Sequence, residues 1–473
     1  MKNQNYCELI HPEIIKEYDI RSKVGTRLNK NTYYFLGVAI VLEMQELYSL
    51  QTIIVGYDSR STSYIFAQYL EKGLQSTGIK VIDIGCLPTP VLHFAMYYFD
   101  CFSSLMITAS HNPIEYNGLK ITLAGKNYHG NLLQEFYQRM ISRSPSIYEN
   151  SPPMTSLTRY STKKMIKHYI DKVKQDIAIQ RPLRIVVDCG NAVAGKVVPD
   201  LLTALGCEVI PLYCDVLDTF PNHHPDPVVE ENLLDLSLLV REKKADLGVA
   251  FDGDGDRLGV VDNNGAIIAS DRLLIAFSEQ VLDVYPKTVI VFDVKCTQHL
   301  NYFIQERGGQ AIMSKTGMSN IMDSMLVNNA VLGGEYCGHF YFWDRWLDFD
   351  DGIYAAARLV ELLNQHHTTT DAFFSRFPCP ISTAEIKIPI AEAEKEHFMK
   401  QIIQQGTSYE KECICTDGLR VIFTHGWGLI RASNTTPCLT LRFEADNSLH
   451  LEQIKSFFRD MIWSIDPNLN LSF

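Results

Sequence analysis

"LGVAFDGDGDR" (247–257) begins with an apolar run typical of a buried strand and ends in three aspartates that alternate with glycines. The carboxylates of Asp252, Asp254 and Asp256 would repel one another unless a cation lay among them, and hard divalent cations prefer oxygen ligands. The glycines permit the tight turn that would aim all three carboxylates the same way. This stretch therefore predicts a strand that leads into a magnesium-binding loop.

Three parts of the chain share this pattern of strands and loops, which indicates an internal repeat. Apolar strands that end in Asp and polar residues lie at 53–60, 184–191 and 289–296. After a helix-length gap, each is followed by a glycine and a second strand, and then by a third strand that runs into a polar loop. These loops lie at 105–113, 247–257 and 330–339. The order matches βαβ units, whose ligands bind outside the carboxyl ends of the strands, so each loop is expected to form one wall of the site.

The composition of the chain changes at 142–156, which is rich in Pro and Ser, and again at 366–382, which is rich in Thr, Pro and Ser. Both stretches are typical of domain boundaries, and alternating strands follow the second one. We predict an α/β protein with three similar α/β domains built on mixed sheets, plus a C-terminal α+β domain, around a central cleft. The predicted ranges are 1–150, 151–262 with the metal loop, 263–370 and 371–473, and each of the other three ranges contains a further candidate loop that is described below.

The overall composition of the 473 residues excludes several classes of partner. A net charge of −12 argues against nucleic acid and anionic membranes, because binding to either needs a basic face. The apolar run at 33–42 is too short to span a membrane and is expected to form a buried helix, and the N-terminus has no apolar signal core. The twelve cysteines lack the spacing of a disulfide framework. We therefore expect a protein of the reducing cytoplasm.

The loop "TASHNPIEYNGLK" (108–120) places Ser110 beside His111 at the end of a predicted strand, with Lys120 ten residues later. A hydroxyl near cations can carry a phosphate, and Lys120 could supply charge or act as an acid or base. No G-x-S-x-G motif is present, so acyl transfer of the hydrolase type is not supported.

The loop "GGEYCGHFYF" (333–342) carries Glu335 and His339, a carboxylate and an imidazole that together suit sugar hydroxyls. "RASNTTPCL" (431–439), in the predicted C-terminal domain, has the composition of a phosphate cradle, because arginine gives charge-assisted donors and hydroxyls and amides add neutral ones. Further cations that follow strands or open loops could surround an anionic substrate. They are Arg21, Arg257 and Lys295.

These motifs together resemble the phosphomannomutase/phosphoglucomutase branch of the α-D-phosphohexomutase superfamily. The resemblance runs from "YDIR" (18–21) through "FPNHHPDP" (220–227) and "RWLDFDDGIYAAARL" (345–359) to "RASNTTP", over nearly the whole chain. It implies four domains and a mutase that interconverts hexose 1-phosphate and hexose 6-phosphate through a phosphoserine and a hexose 1,6-bisphosphate. It also implies Mg²⁺ as cofactor, phosphosugars of mannose and glucose as partners, and a monomer or weak dimer.

The resemblance assigns a role to each matching residue. The catalytic residues would be Ser110, His111, Lys120, Arg257 and His339. The substrate-binding residues would be Arg21, Lys295, Glu335, Cys337, Arg431, Ser433, Asn434 and Thr435. The metal ligands would be Ser110, Asp252, Asp254 and Asp256. The chain departs from the family pattern at "GEYCGH" for "GEMSGH", at "YDIRS" for "YDIRG" and at Met318, where histidine is common.

Three other interpretations stay open at this point. A phosphoglucosamine-type mutase of the same superfamily would use the same motifs. An aspartyl-phosphate phosphatase would use Asp252 as its nucleophile and would make Ser110 dispensable. A sugar-phosphate binding protein without catalysis would bind without turnover. The preference between mannose and glucose is also open, because the departures at Tyr336 and Cys337 lie in the sugar-recognition loop.

Overall fold

A computed structural model describes residues 10–76, 78–143, 156–433, 436–471 and 473. The chain divides into two compact units. Unit 1 consists of Met1–Ile268 and Cys337–Phe373, and unit 2 consists of Ala269–Tyr336 and Phe374–Phe473.

The strands of the described chain have the following bounds: β1 Ile20–Lys23, β2 Thr52–Tyr57, β3 Lys80–Cys86, β4 Ser104–Ile107, β5 Tyr116–Leu123, β6 Lys126–Asn127, β7 Leu157–Arg159, β8 Arg184–Asp188, β9 Glu208–Leu212, β10 Leu247–Phe251, β11 Leu258–Asp262, β12 Ile267–Ile268, β13 Val289–Asp293, β14 Gln310–Ser314, β15 Leu332–Gly334, β16 Phe340–Phe342, β17 Ile381–Ser382, β18 Ile386–Pro389, β19 Cys413–Ile414, β20 Leu419–Phe423, β21 Gly426–Ala432 and β22 Cys438–Ala445.

The α-helices have these bounds: α1 Lys30–Glu43, α2 Ser63–Gln75, α3 Thr89–Tyr98, α4 Gly130–Ser142, α5 Thr162–Asp176, α6 Val198–Ala204, α7 Leu234–Lys243, α8 Ser270–Val284, α9 Gln298–Glu306, α10 Met318–Asn328, α11 Gly352–His366, α12 Thr370–Phe374, α13 Glu392–Gly406 and α14 Ser448–Ile465. Short 3₁₀ turns lie at Pro12–Ile14, Val193–Lys196 and Glu230–Leu233, and a π-helical turn at Met44–Tyr48 follows α1.

The first sheet of unit 1 is mixed and has the strand order β1-β5-β4-β2-β3-β7, with β6 paired to β5. Strand β2 is parallel to both β3 and β4, whereas β5 is antiparallel to β4 and β1. Tyr57, the last residue of β2, pairs with Ile107, the last residue of β4. Since parallel neighbours end at the same edge, the loops that follow β2 and β4 lie side by side.

The second sheet of unit 1 has the order β12-β11-β10-β8-β9 and contains the stretch that carries the three aspartates. Strand β10 is parallel to β8 and antiparallel to β11, and all five of its residues are buried. The aspartates lie in the turn between β10 and β11. The predicted strand and the turn after it are therefore confirmed, whereas magnesium binding by this turn stays a prediction. A strand covered on both faces explains why its residues are apolar without alternation.

Unit 2 contains a group of three parallel strands and an antiparallel sheet. Strand β13 is parallel to β14 and β15, as the repeat predicted. The antiparallel sheet has the order β17-β22-β21-β20-β19, with β18 paired to β22, and the helices α13 and α14 supply buried side chains such as Ile402 and Phe458 to its core. Within unit 2, Val294 packs with Trp427 and Leu429.

The mixed sheets and the antiparallel C-terminal segment confirm the predicted fold class of α/β domains followed by an α+β region. The boundaries at 150, 262 and 370 stay predictions. In the part of the chain that the structure describes, no helix is long and apolar enough to cross a membrane. The apolar run at 33–42 lies in α1 and is largely buried, as expected.

Candidate active site

The serine loop, residues 108–116, follows β4 and holds Ser110 in a left-handed backbone conformation with φ of +45°. A residue other than glycine pays a steric cost there, so the surrounding contacts must hold it in place. Its backbone N–H donates to Thr108 Oγ1 at 2.8 Å, and the residue is only 4% exposed. The loop thus presents the serine in one defined orientation.

Arg60, which follows β2, holds the backbone of the serine loop. Its guanidinium donates to four carbonyl oxygens between residues 110 and 116, at 2.6–3.2 Å, and its Nε donates to Asp58 Oδ2 at 3.2 Å. Arg60 and Asp58 are both about 2% exposed. A planar guanidinium has five donors in a fixed geometry, so one side chain can fix several carbonyls at once.

Asp58 completes this support from its position at the end of β2. Its Oδ2 accepts a hydrogen bond from Thr108 Oγ1 at 2.7 Å, and its Oδ1 accepts one from Ser63 Oγ at 2.5 Å. Sequence reasoning noted "IIVGYDSR" only as one copy of a repeat and missed the role of Asp58 and Arg60. The signal was present, because polar residues at the carboxyl end of a strand lie where the site is expected.

The hydroxyl of Ser110 lies against the metal loop. Its Oγ donates to Asp252 Oδ2 at 2.7 Å and is 3.1 Å from His111 Nδ1. Burial lowers the pKa of His111 well below its ordinary value, and the nearby charges of Arg257 and Arg21 lower it further. The imidazole beside the serine is therefore neutral near pH 7. The structure brings together two motifs that are 142 residues apart.

Asp252 organises the turn of the metal loop. Its Oδ1 accepts hydrogen bonds from the backbone N–H groups of Gly255, Asp256 and Arg257 at 3.0, 3.1 and 3.2 Å. Burial raises the pKa of Asp252 well above its ordinary value, and the charges of Asp256 and Asp254 act in the same direction. Concentrated negative charge in a dry turn is unfavourable unless a cation offsets it.

Lys120 supplies one such cation from β5. Its Nζ donates to Asp254 Oδ2 at 2.8 Å and to Asp256 Oδ2 at 2.6 Å. Burial would lower the pKa of Lys120, but the charges of Asp254 and Asp256 outweigh it and raise the pKa. The protonated form of Lys120 is therefore favoured where its amine contacts the two aspartates.

The three aspartates fit a divalent cation. Each offers a carboxylate oxygen within 4.8 Å of those of the other two. Asp254 Oδ2 also accepts from Thr89 Oγ1 at 2.6 Å, whereas Asp254 Oδ1 is buried and has no hydrogen-bond partner among the described residues. An orphaned buried carboxylate oxygen is costly, and a hard cation with a preference for oxygen ligands would satisfy it.

His339, which precedes β16, faces the same carboxylates. Its Nε2 is 3.2 Å from Asp256 Oδ1 and 3.3 Å from Arg257 Nε, and its Nδ1 is 3.4 Å from Cys337 Sγ. Burial opposes protonation of His339, but the acceptors Cys337 and Asp256 outweigh it and raise its pKa well above the ordinary value. These acceptors therefore favour the protonated form of His339.

Two further cations of unit 1 surround the serine loop. Arg21 Nη1 donates to Asn112 Oδ1 at 2.8 Å and to the carbonyl oxygen of Ala109 at 3.2 Å. Arg257 Nη1 is 3.8 Å from Asp226 Oδ1. Both arginine side chains are largely buried, so neither is a surface charge, and their assignment to the site stays a prediction.

The predicted site residues of unit 2 form a second group. Lys295 Nζ donates to Glu385 Oε2 at 3.3 Å, and Glu335 Oε1 accepts from the backbone N–H of Gly317 at 2.6 Å. Asp293 joins their loops, because its Oδ1 accepts from the backbone N–H groups of Lys295 and Tyr336 at 3.2 and 3.3 Å.

The predicted phosphate cradle also lies in unit 2. Arg431 Nε donates to Asp417 Oδ2 at 2.8 Å, and the same oxygen accepts from the backbone N–H of Thr316 at 3.1 Å. Asp417, which sequence reasoning missed, thus links the cradle to the loop that donates to Glu335. Ser433 Oγ is 2.8 Å from Thr436 Oγ1. Asn434 and Thr435 lie outside the described residues.

Comparison with known proteins gives four consecutive family matches along the chain. They are the Phosphoglucomutase/phosphomannomutase alpha/beta/alpha domain I at residues 12–144, domain II at 167–265, domain III at 269–378, and the C-terminal domain at 385–461.

Individual proteins match over nearly their whole length. The phosphomannomutase/phosphoglucomutase of Pseudomonas aeruginosa is 43% identical over 460 residues, which cover 97% of each chain. The crystal structure of a phosphoglucomutase/phosphomannomutase family protein from Burkholderia thailandensis is 36% identical, with a TM-score of 0.90, and covers 98% of this chain and 100% of that one. The N-acetylphosphoglucosamine mutase of Aspergillus fumigatus, solved with GlcNAc-6P and magnesium, shares the fold with a TM-score of 0.59 and 14% identity, covering 95% of each chain.

Proposed function

The chain belongs to the phosphoglucomutase/phosphomannomutase family and is a phosphohexomutase, and we propose that Ser110 carries the phosphoryl group between the 1- and 6-positions of mannose and glucose phosphates. The observation that carries this proposal is the position of the serine hydroxyl, which is buried, held by a clamped loop and 2.7 Å from Asp252. A carrier must be presented in one orientation, and both ends of the substrate must be able to reach it.

We propose that Asp252, Asp254 and Asp256 hold Mg²⁺ together with an oxygen of phosphorylated Ser110. The orphaned Asp254 Oδ1 and the set of three carboxylates support this choice of a hard cation. When bound, the cation would offset the negative charge of the phosphoryl group during transfer, which is the main demand of this chemistry.

The reaction proceeds in two transfers. Phospho-Ser110 gives its phosphoryl group to the free hydroxyl of a bound hexose monophosphate, and this step yields a hexose 1,6-bisphosphate and a free serine. The bisphosphate then turns round in the site, and the serine hydroxyl takes the phosphoryl group from the other end. The same bisphosphate, added in trace amounts, would phosphorylate a dephosphorylated enzyme and so act as its activator.

Two histidines are placed to accept and donate protons during these transfers. Ser110 Oγ donates to Asp252 Oδ2, and neutral His111, 3.1 Å from the same oxygen, can take that proton when the hydroxyl turns to attack the bisphosphate. Protonated His339 can give a proton to the sugar oxygen that leaves, and it takes the proton back in the reverse direction. We assign Lys120 a steady positive charge, because its two carboxylate partners favour the protonated amine.

We propose that the residues of unit 2 recognise the part of the substrate that does not react. Arg431 with Ser433, Asn434 and Thr435 would bind the phosphate, and Lys295 and Glu335 would bind sugar hydroxyls. Asp417 contacts both Arg431 and the 316–317 loop, which donates to Glu335. A shift of the phosphate cradle would therefore move the loop beside Glu335, and this supports a coupling between phosphate binding and sugar binding.

The arrangement argues against a phosphatase that uses Asp252 as its nucleophile. Both oxygens of Asp252 are already engaged, one by three backbone N–H groups and the other by Ser110. A carboxylate held in this way supports the serine and is poorly placed to attack a phosphate.

We also propose that the enzyme works in the cytoplasm as a monomer or weak dimer.

The test is a product assay with mannose 1-phosphate, glucose 1-phosphate and glucosamine 1-phosphate, each with a trace of the corresponding 1,6-bisphosphate. We expect 6-phosphates of mannose and glucose, with phosphate mapped to the peptide that contains Ser110. Ser110→Ala should lose both signals, and Ser142→Ala, which removes an exposed hydroxyl at the end of α4, should keep both. Release of free phosphate would favour the phosphatase, binding without product would favour the binding protein, and a preference for glucosamine phosphate would favour the alternative mutase.

A further inference from the structure

Two cysteines of unit 1 lie in contact where neighbouring parallel strands end. Cys189 follows β8 and Cys214 lies two residues after β9, and their Sγ atoms are 3.6 Å apart. The backbones that carry them are held together, since the N–H of Cys189 donates to the carbonyl of Leu212 at 3.3 Å and that of Asn191 donates to the carbonyl of Tyr213 at 2.7 Å. The two thiols therefore stay close without any larger movement of the chain.

The residues next to these cysteines hold a histidine segment. Asp188 Oδ2 is 2.9 Å from His223 Nε2, and the ring of Tyr213 packs edge-on against the ring of His223 with centroids 5.5 Å apart. The following residue, His224, is hydrogen-bonded through Nε2 to the carbonyl oxygen of His111. A displacement of the cysteine pair would therefore alter the contacts of His223. Through the adjoining His224, it would also alter the backbone of the serine loop.

We propose that Cys189 and Cys214 are a redox-sensitive dithiol which closes to a disulfide under peroxide and thereby slows the mutase. The slowing rests on the function proposed above, whereas the disulfide itself does not. Formation needs the Sγ atoms to move from 3.6 Å to about 2.05 Å, with the Cβ–S–S–Cβ torsion near about 90°. Since both backbones are tied to each other, we expect the remaining adjustment to displace Asp188 or Tyr213 and with them His223.

The chemistry balances with hydrogen peroxide as the oxidant. The thiolate of Cys214, the more exposed of the pair, attacks peroxide and becomes a sulfenic acid while hydroxide leaves. The thiol of Cys189 then attacks that sulfur, forms the S–S bond and releases water. Burial raises the pKa of Cys189 and shields its sulfur from the solvent, so we assign the first step to the more exposed Cys214.

The experiment treats the full-length enzyme with hydrogen peroxide, alkylates the remaining thiols and maps the digest by mass spectrometry. We expect a cross-linked pair of peptides that contain Cys189 and Cys214, and recovery of the free thiols on addition of dithiothreitol. Because a displacement of about 1 Å at a reacting group can cost up to about 100-fold in rate, turnover of glucose 1-phosphate should fall at least about threefold and recover with the thiols.

Variants separate this pair from the thiol beside His339. Cys214→Ser should retain basal turnover and lose both the cross-link and the reversible inhibition, and Cys189→Ala provides a second variant if the first folds poorly. Cys337→Ser should keep the sensitivity to peroxide. Absence of the cross-link would overturn the proposal, as would inhibition that persists in Cys214→Ser and disappears in Cys337→Ser. A cross-link without a change in turnover would overturn the coupling to the serine loop, and a lack of mutase activity before oxidation would count against the proposed function alone.

Discussion

Arg60 Nη2 donates to the carbonyl oxygen of Ser110 at 2.7 Å. The same guanidinium reaches three more carbonyls of the serine loop, so one buried side chain determines the backbone conformation of the residue proposed to carry phosphate. Holding a non-glycine residue at a positive φ needs such external support.

Arg60→Lys should lower turnover by about 10- to 100-fold with a smaller effect on the Michaelis constant, because an amine keeps the charge beside Asp58 but cannot reach four carbonyls. Steady-state kinetics and the extent of Ser110 phosphorylation by glucose 1,6-bisphosphate would measure the effect. Arg241→Lys, at an exposed position near the end of α7, is the matched control. Turnover close to that of the unmodified enzyme would show that the loop keeps its conformation without the clamp.

Ser110→Ala should lower mutase turnover by at least about 10³-fold, because it removes the phosphoryl carrier. The loss of one small hydroxyl leaves the contacts of Arg60 with the loop backbone in place, so the unfolding midpoint should change little. Rates would be measured by coupled detection of glucose 6-phosphate. Near-normal activity in the purified variant would contradict the assignment of Ser110 as the phosphoryl carrier and favour Asp252 as the nucleophile.

Asp254→Asn should raise the Mg²⁺ concentration for half-maximal turnover by about 10-fold or more, because it replaces one of three charged carboxylate ligands with a neutral amide oxygen. A magnesium titration of turnover, repeated with Asp460→Asn at an exposed site in α14, checks this. If both variants titrate alike, the three carboxylates are not the ligands of the metal.

Cys337→Ser should leave catalytic efficiency unchanged or raise it up to about tenfold, because a hydroxyl is a stronger hydrogen-bond partner than a thiol, and a typical hydrogen bond contributes about 0.5–1.5 kcal/mol net. The partner would be His339 Nδ1, which is 3.4 Å from the thiol. A small gap left by the smaller oxygen opposes this gain. Efficiency would be measured with mannose 1-phosphate and with glucose 1-phosphate, and a loss above about tenfold with either sugar, at unchanged stability, would show that the thiol itself is required.

Glu71→Gln should flatten the pH dependence of stability. Glu71 lies in α2 with little exposure, and burial raises its pKa to about 7, with a further contribution from the charge of Asp83. The folded carboxyl therefore keeps its proton between about pH 4.5 and 7 while the unfolded one loses it, so stability falls as the pH rises through that window.

Relative to the unmodified protein, the Gln variant should gain on the order of 1–3 kcal/mol in free energy of unfolding between pH 5 and pH 8. Urea unfolding at the two pH values, compared with Glu410→Gln at an exposed position, measures the difference. An equal pH dependence in both variants would mean that Glu71 is solvated in the folded state.

Features that are local in sequence were predictable from it. The strand β10 and its three aspartates occupy one short stretch, so their apolar run and alternating carboxylates already indicate both the element and its chemistry. The serine loop was recognisable for the same reason. Repetition of the strand pattern indicated the α/β class, because a strand buried on both faces must be apolar throughout.

Contacts between residues that are far apart in the sequence could not be predicted in this way. Arg60 lies 50 residues before the serine that it supports, and Lys120 lies 134 residues before Asp254. From sequence alone, Lys120 could be an acid, a base or a fixed charge, and we propose the fixed charge because two carboxylates surround its amine. The tertiary structure determines these roles because a pKa, a strained backbone and an orphaned oxygen depend on which groups lie within a few ångströms in space, and strand pairing brings together groups that the chain keeps far apart.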